Sequence, residues 1–142
     1  MHPSNTTNAP LHSHKELIVW QKSVSFVESI YSLTRSFPKE EQFGLVSQMR
    51  RAAVSVPSNI AEGRARGTRK DFVHFLRISF ASCAELETQL EISKRLSFGK
   101  EEEYTTTDTL LLEIRKMLSV MIRKMQPFNK ASEAEEATEA HT

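Results

Sequence analysis

Apolar residues recur every three or four positions through four long stretches of this chain, and no stretch alternates in the manner of a β-strand. The most regular stripe lies in the middle of the chain and consists of Leu45, Met49, Ala52, Val56 and Ile60. This spacing gathers apolar side chains on one face of an α-helix, which must then be buried against other helices. The sequence therefore predicts an all-α fold.

Four helices are predicted, separated by short polar, glycine-containing or proline-containing connections. They cover about residues 15–36, 39–62, 68–96 and 107–126. In the first helix the predicted buried stripe is Trp20, Val24, Val27 and Tyr31, widened by Leu17 and Ile30. In the third helix the predicted stripe is Phe72, Phe75, Leu76, Ser79, Cys83, Leu86 and Leu90, and in the fourth it is Leu111, Ile114, Leu118, Met121 and Met125. Because short connections make consecutive helices antiparallel, we predict an up-down-up-down four-helix bundle over residues 15–129. The flanking segments, residues 1–14 and 130–142, hold too few apolar residues to pack and are predicted to be disordered.

The second helix carries a proline, Pro57, within its apolar stripe. Proline removes one backbone hydrogen bond and crowds the carbonyl four residues earlier, so we predict a kink in this helix. The kink would fit the helix against the third one, with Ser58 or Asn59 capping amides that it frees. Gly63 is predicted to end the helix. Thr68, with Asp71 three residues later, resembles a capping pair that opens the third helix.

Polar side chains share one side of the second helix at steps of four, four and three, namely Arg51, Ser55, Asn59 and Glu62. Glu85 and Glu87 on the third helix offer carboxylates. We expect a polar network or a contact between subunits in which Arg51 meets a carboxylate. Paired carboxylates also bind metals or transfer protons, but no helix has the Glu-x-x-His spacing of a bundle metal site. No metal, cofactor or catalytic residue is therefore predicted.

The single cysteine, Cys83, excludes an internal disulfide and suits a reducing compartment. It falls on the apolar stripe of the third helix, which predicts an inert core thiol. The first residues lack the basic start and apolar run of a secretory signal. No apolar stretch approaches the roughly 18 residues that span a bilayer. We expect a cytoplasmic protein without a membrane segment.

The formal net charge of +1 conceals an uneven distribution. Residues 130–142 hold four glutamates, Glu133, Glu135, Glu136 and Glu139, against one base, Lys130. Subtracting these from the 19 basic and 18 acidic residues of the chain leaves 18 and 14 over residues 1–129, a balance of +4. The predicted bundle is therefore mildly basic and is followed by an acidic segment.

The densest positive patch lies between residues 50 and 70, where six bases accompany one acid, Glu62. A hairpin that turns near Ala65 would place Arg51 level with Ser79. Farther along the third helix, bases at helical spacing form a stripe that could track phosphates. The predicted nucleic-acid-binding residues are Arg50, Arg64, Arg66, Arg69, Lys70, His74 and Arg77. Two other interpretations stay open, a solvated helix face and a surface for an acidic protein partner.

Three blocks of sequence carry a resemblance to a known family: ELIVWQKS in the first helix, FPKEEQFGLVSQMRRAAVSVPSNIAEGRARG across the second, and DFVHFLRISFASCAELETQL in the third. Over about residues 15–125 the chain resembles the proteins encoded in intervening sequences of bacterial 23S ribosomal RNA genes, often called the S23 ribosomal protein family. This resemblance implies a four-helix bundle that assembles as a homopentamer. The family is also similar to the accessory protein of diversity-generating retroelements, a pentameric barrel whose basic surface engages nucleic acid and a reverse transcriptase. The modest balance of +4 and the acidic segment depart from that pattern.

Several apolar residues lie off the predicted stripes, namely Ile18, Val19, Phe26, Val73, Ile78, Phe80, Ile92, Leu110 and Ile122. Exposed together they would form the kind of patch that marks an interface, which predicts assembly into a ring. We therefore expect a non-enzymatic, self-associating bundle that binds RNA or a ribonucleoprotein, or a nucleic-acid enzyme, through its basic patch. The alternative is a protein-interaction scaffold without direct RNA contact.

Overall fold

The computed structural model of the chain describes residues 13–126, which form four α-helices and two short 3₁₀ turns and contain no β-strand. The helices are α1 (Ile18–Thr34), α2 (Leu45–Arg66), α3 (Arg69–Arg95) and α4 (Glu101–Met125), and the turns are His14–Glu16 and Lys39–Glu41. The predicted all-α four-helix fold is confirmed. The segments predicted to be disordered, residues 1–14 and 130–142, lie outside the described residues except for Ser13 and His14.

Each helix packs against two others, so the four form a bundle with α1 and α3 on one diagonal and α2 and α4 on the other. Lys22 of α1 pairs with Glu113 of α4 at 2.6 Å, whereas Ser32 bonds Glu103 at 2.8 Å, so these two helices are antiparallel. Each pair of helices that are consecutive along the chain is also antiparallel. The starts of α1 and α3 and the ends of α2 and α4 therefore meet at one end of the bundle, which we call the Gly67 end.

The core is built from the apolar stripes that the sequence predicts for the last three helices. Met49, Leu76 and Ile114 are fully buried, and burying each such side chain contributes roughly 1.5–3 kcal/mol. Helix α4 begins at Glu101, six residues before its predicted start, because Tyr104 and Thr107 continue its buried stripe. The acidic residues 101–103 suit the positive end of the helix dipole.

The predicted buried stripe of α1 is wrong by about one position, although Ile30, which was predicted to widen it, is buried. The buried residues of this helix are Val19, Ser23, Phe26, Ile30, Leu33 and Thr34. Trp20, Val24 and Val27 are only partly buried, and Tyr31 is exposed. Apolar residues lie on two adjacent faces of α1, and packing against α2 and α4 selects between them. Val19 and Phe26, predicted to lie off the stripe, therefore belong to the core.

Both predicted ends of α2 are also wrong. The helix starts at Leu45 rather than near residue 39, where only a 3₁₀ turn forms, and it continues past Gly63 to Arg66. Gly67, with φ at +82°, provides the left-handed residue that ends it. Gly63 instead lies at the closest approach of two helices, since an added Cβ would lie 2.7 Å from Cβ of Phe75.

Candidate nucleic-acid interface

The Gly67 end brings together the bases of the α2–α3 connection. The last turn of α2 supplies Arg64 and Arg66, and the first turn of α3 supplies Arg69 and Lys70. Thr68 caps α3 by accepting a hydrogen bond from the backbone amide of Asp71 at 3.1 Å, as its spacing predicts. The short connection therefore places four of the predicted binding residues within the seven residues 64–70.

The register of this hairpin differs from the predicted one. The hydroxyl of Ser79 donates to the carbonyl of Val56 at 2.9 Å, so Ser79 lies level with Val56 and not with Arg51. The cause is the position of the turn, which falls at Gly67 rather than near Ala65. Residues early in α2 are accordingly farther from the Gly67 end than the sequence suggests.

Arg50 lies apart from the other predicted binding residues. It precedes Arg66 by 16 residues, which is about 24 Å along the helix axis. Its Nε atom donates to Oγ1 of Thr34 at 3.0 Å, and its guanidinium lies 4.4 Å from the centre of the Tyr31 ring. This arginine therefore connects α1 to α2 at the opposite end of the bundle.

Two arginines of the Gly67 end lie over phenylalanine rings of α3. The guanidinium of Arg64 is 5.8 Å from the centre of the Phe72 ring, and that of Arg66 is 5.2 Å from the centre of the Phe75 ring. Arg66 also pairs with Glu62 at 2.8 Å. These contacts hold both guanidinium groups near the start of α3, and cation–π attraction at exposed sites contributes roughly 0.5–1 kcal/mol.

The remaining bases of this surface project from the first third of α3. Arg69, Lys70 and Arg77 are exposed, and their side chains have no hydrogen-bond or ion-pair partner among residues 13–126. His74 is also exposed, with its ring packed edge-on against Phe75 at 5.2 Å between centroids. We define the basic surface as Arg64, Arg66, Arg69, Lys70, His74 and Arg77.

Other basic side chains of the bundle form ion pairs between helices, unlike Arg69, Lys70 and Arg77. Lys94 pairs with Asp108 at 2.6 Å and joins α3 to α4. Arg115 pairs with Glu87 and joins the same two helices. Arg69, Lys70 and Arg77 join no two helices in the described part of the chain. These bases are therefore available to an external anion.

The predicted polar network around Arg51 does not form within residues 13–126. Arg51 is exposed and contacts no described carboxylate. Glu62 bonds Arg66 instead, and Glu85 accepts a hydrogen bond from Nε2 of Gln89 at 3.2 Å. The interhelical contact on this side is a hydrogen bond of 2.6 Å between the hydroxyls of Ser55 and Ser82. The alternative, a contact between subunits through Arg51, stays a prediction.

The described residues contain no group of three histidine, cysteine, aspartate or glutamate side chains arranged to hold a metal ion. Cys83 is fully buried, and burial raises the pKa of its thiol to about 12. This placement confirms the predicted core thiol, because a thiol with so high a pKa is a poor nucleophile. Among the described helices, none combines the length and hydrophobicity of a membrane span.

Sequence reasoning missed an aromatic surface between α1 and α2. Phe43 is 91% exposed and Tyr31 is 38% exposed. Together with Val54 and Arg51 they line an open groove of about 470 Å³. The sequence did contain a signal for this exposed surface. Phe43 lies just before α2 and outside the apolar stripe that starts at Leu45.

A second open groove, of about 430 Å³, lies between α3 and α4. Its lining includes the apolar residues Phe80, Leu112 and Val120 and the bases Lys116 and Arg123. Both grooves combine apolar and cationic groups. They are therefore suited to a partner that carries apolar and acidic side chains.

Comparison with known proteins supports a family assignment. The family model for the 23S rRNA-intervening sequence protein matches residues 15–120. Among solved structures, the chain is similar to a protein with unknown function from the S23 ribosomal protein family of Bacteroides thetaiotaomicron VPI-5482. The two share 29% sequence identity over 75% of this chain and 96% of that chain, with a TM-score of 0.68. Comparison with curated proteins gave no match.

Proposed function

Because the chain belongs to the family of 23S rRNA-intervening sequence proteins, we propose that it is a non-enzymatic, self-associating, cytoplasmic four-helix bundle that binds RNA or a ribonucleoprotein. The proposed contact is the basic surface at the Gly67 end. The observation that carries this proposal is the set of exposed and unpaired bases Arg69, Lys70 and Arg77 on one helix. Their positive charge is not offset by an ion pair within residues 13–126.

The arrangement of this surface suits phosphate recognition. Lysine and arginine side chains on one helix can neutralise neighbouring phosphates and release their condensed counterions, which drives binding without sequence specificity. The guanidinium groups of Arg64 and Arg66 rest on aromatic rings. Arg66 is also held by its ion pair with Glu62 at 2.8 Å. Both guanidinium groups therefore add positive charge beside the exposed bases of α3, and guanidinium is a group that proteins use to recognise phosphate.

Self-association is supported by apolar side chains that the single chain leaves exposed. Of the off-stripe residues, Ile18 is 60% exposed and Ile92 is 43% exposed, although Val19 and Phe26 are buried. Phe43 adds a larger exposed ring. A ring of subunits would cover such residues, and the resemblance described above suggests five subunits. Assembly would also repeat the basic surface once in each subunit, which increases avidity for a long polyanion.

The alternative is a protein-interaction scaffold without direct RNA contact. The groove lined by Tyr31, Phe43 and Val54 favours it, because exposed aromatic and aliphatic groups mark protein interfaces more often than nucleic-acid surfaces. In that case the basic surface would be a solvated helix face or a site for an acidic protein.

The test compares RNA binding by the 142-residue chain with binding by two variants of equal charge change. One variant carries Arg69→Glu, Lys70→Glu and Arg77→Glu at the basic surface. Its control carries Arg35→Glu, Lys39→Glu and Lys100→Glu, three exposed bases at the opposite end of the bundle. Helical content measured by circular dichroism should be the same in all three proteins.

Fluorescence anisotropy with a labelled structured RNA then measures affinity as a function of salt. We expect the logarithm of the binding constant to fall with the logarithm of salt concentration, with a slope between about −2.8 and −3.6 for roughly four phosphate contacts. The variant at the basic surface should lose at least tenfold in affinity, whereas the control should lose about threefold or less. Absence of RNA retention even at low ionic strength would reject RNA binding and favour the scaffold.

A further inference from the structure

The last described residue, Gln126, lies at the same end of the bundle as the basic surface. Helix α4 ends at Met125 and runs antiparallel to α3, whose first residue is Arg69. Because α3 and α4 pack directly against each other, their axes are separated by about 8–10 Å. The chain beyond Gln126 therefore starts one helix away from the basic surface.

The segment that follows is acidic and long enough to reach this surface. Glu133 is seven residues beyond Gln126 and Glu139 is 13 residues beyond it. At roughly 3.3 Å per residue, an extended chain of that length reaches about 23 to 43 Å. The first third of α3, from Arg69 to Arg77, extends only about 12 Å along its axis. All four glutamates are thus within reach of the unpaired bases.

The two ends of the bundle differ in charge, which determines where an acidic segment is attracted. At the Gly67 end, Arg123 and Lys124 in the last turn of α4 add to the bases of the α2–α3 connection, which outnumber the acids Glu62 and Asp71 there. At the opposite end, the exposed bases Arg35, Lys39 and Lys100 are accompanied by a larger number of acids, namely Glu40, Glu41, Glu101, Glu102 and Glu103. The Gly67 end is therefore the end that complements the segment.

We propose that the acidic segment, residues 133–139, binds the basic surface of the bundle and occupies the place of an external polyanion. The interaction is between its carboxylates and the unpaired side chains of Arg69, Lys70 and Arg77. It involves the surface on which the proposed function rests, but it does not require that RNA be the natural ligand. The bundle would then carry its own competitor for that surface.

Tethering makes even weak binding effective. A tether of this length gives an effective concentration of about 1 mM, so a segment with an intrinsic dissociation constant near that value occupies the surface about half of the time. Occupancy by the segment raises the apparent dissociation constant of a competing ligand in proportion. We therefore expect the segment to weaken RNA binding by about twofold to tenfold, most strongly at low salt.

The direct test uses carbodiimide crosslinking of the 142-residue chain without RNA, followed by peptide mass spectrometry. This reagent joins a lysine amine to a carboxylate that touches it. We expect crosslinks between Lys70 and the glutamates of the segment, and their loss at about 1 M salt, where the Debye length is about 3 Å. Lys39 and Lys100 serve as reference amines within the same molecule.

A variant with Glu133→Gln, Glu135→Gln, Glu136→Gln and Glu139→Gln removes the carboxylates and should abolish these crosslinks. Mixing ¹⁵N-labelled and unlabelled protein shows whether the segment binds its own subunit or a neighbour, and either result supports the proposal. Equal crosslinking of Lys70 and the reference amines would overturn it. So would crosslinks confined to Lys116 in the groove between α3 and α4.

RNA binding by the same glutamine variant separates this inference from the proposed function. Crosslinks at Lys70 without RNA retention by either protein would support the segment contact and reject RNA binding. RNA binding that depends on the bases of α3, with no crosslinks and no gain from the glutamine substitutions, would reject the segment contact alone. If both proposals hold, the glutamine variant should bind RNA about twofold to tenfold more tightly than the unsubstituted chain.

Discussion

The buried hydroxyl of Ser79 donates a hydrogen bond of 2.9 Å to the carbonyl of Val56, the residue immediately before Pro57. This contact satisfies a polar group inside an apolar interface and fixes the register of α3 against α2. Nearby, Nδ2 of Asn59 donates to the carbonyl of Ser55 at 2.8 Å. Asn59 therefore binds a carbonyl near the proline, whereas an amide was predicted. Because Pro57 has no backbone N–H, it is the carbonyl of Ala53 that loses its helical hydrogen bond.

Replacing Ser79 with alanine should destabilise the bundle by about 1 kcal/mol, because one buried hydrogen bond between α2 and α3 is lost. Urea unfolding followed by circular dichroism measures the change in the free energy of unfolding. Ser119→Ala is the matched control, since Ser119 is an exposed helical serine. If both substitutions have the same effect, the Ser79 bond contributes nothing to stability.

Replacing Pro57 with alanine tests the predicted kink. Intrinsic helix propensity alone would favour alanine by about 3 kcal/mol in a helix interior. We expect the opposite result, a lower melting temperature, because Pro57 is buried and a straightened helix would loosen the hairpin with α3. Calorimetry and light scattering measure the melting temperature and the oligomeric state. An unchanged or raised melting temperature with the same oligomeric state would show that the proline is incidental.

Replacing Gly63 with alanine should destabilise the bundle by about 1–3 kcal/mol, because α2 and α3 must separate to admit a methyl group. The new Cβ would lie 2.7 Å from Cβ of Phe75 and 3.3 Å from Cα of Phe72. Gly67→Asn is the control, since asparagine tolerates the left-handed conformation at a helix end. Equal unfolding free energies for Gly63→Ala and the unsubstituted chain would contradict the close contact.

Ionisation of Cys83 should make stability depend on pH in the alkaline range. The pKa of its thiol is raised from 9.0 to about 12 by burial, so between these values the unfolded chain loses a proton that the folded chain keeps. Stability should therefore fall as pH rises above 9.0, with a limiting slope of about 1.4 kcal/mol per pH unit. Cys83→Ala should lack this component when both proteins are unfolded in urea across the range. Parallel pH profiles would contradict the prediction.

Phe43 should contribute to self-association and little to the fold of a single chain, because its side chain is 91% exposed. We expect Phe43→Ser to shift the chain toward its 16.2 kDa monomer in light scattering, with helical content unchanged. Leu112→Ser alters the other groove and serves as the comparison. Self-association that is insensitive to both substitutions would place the interface elsewhere.

Much of the fold could be predicted because its signals are local. Helix periodicity alone identified the buried faces of α2, α3 and α4, and the capping of α3 by Thr68 followed from spacing. The resemblance of residues 15–125 to a known family was also contained in the sequence. The six residues of the basic surface were named from charge density between residues 50 and 70 and from helical spacing beyond it, without any structure.

Other features depended on tertiary contacts. The choice between two apolar faces of α1 required α2 and α4, since either face satisfies the local period. Whether Gly63 or Gly67 ends α2 was decided by the close packing against Phe75, which a sequence pattern does not encode. Packing of α2 against α1 placed Arg50 beside Tyr31, far from the basic surface. The chain itself thus determined which residues are apolar and helical, whereas packing between helices determined which of them meet, because contact between distant residues depends on the positions of whole helices.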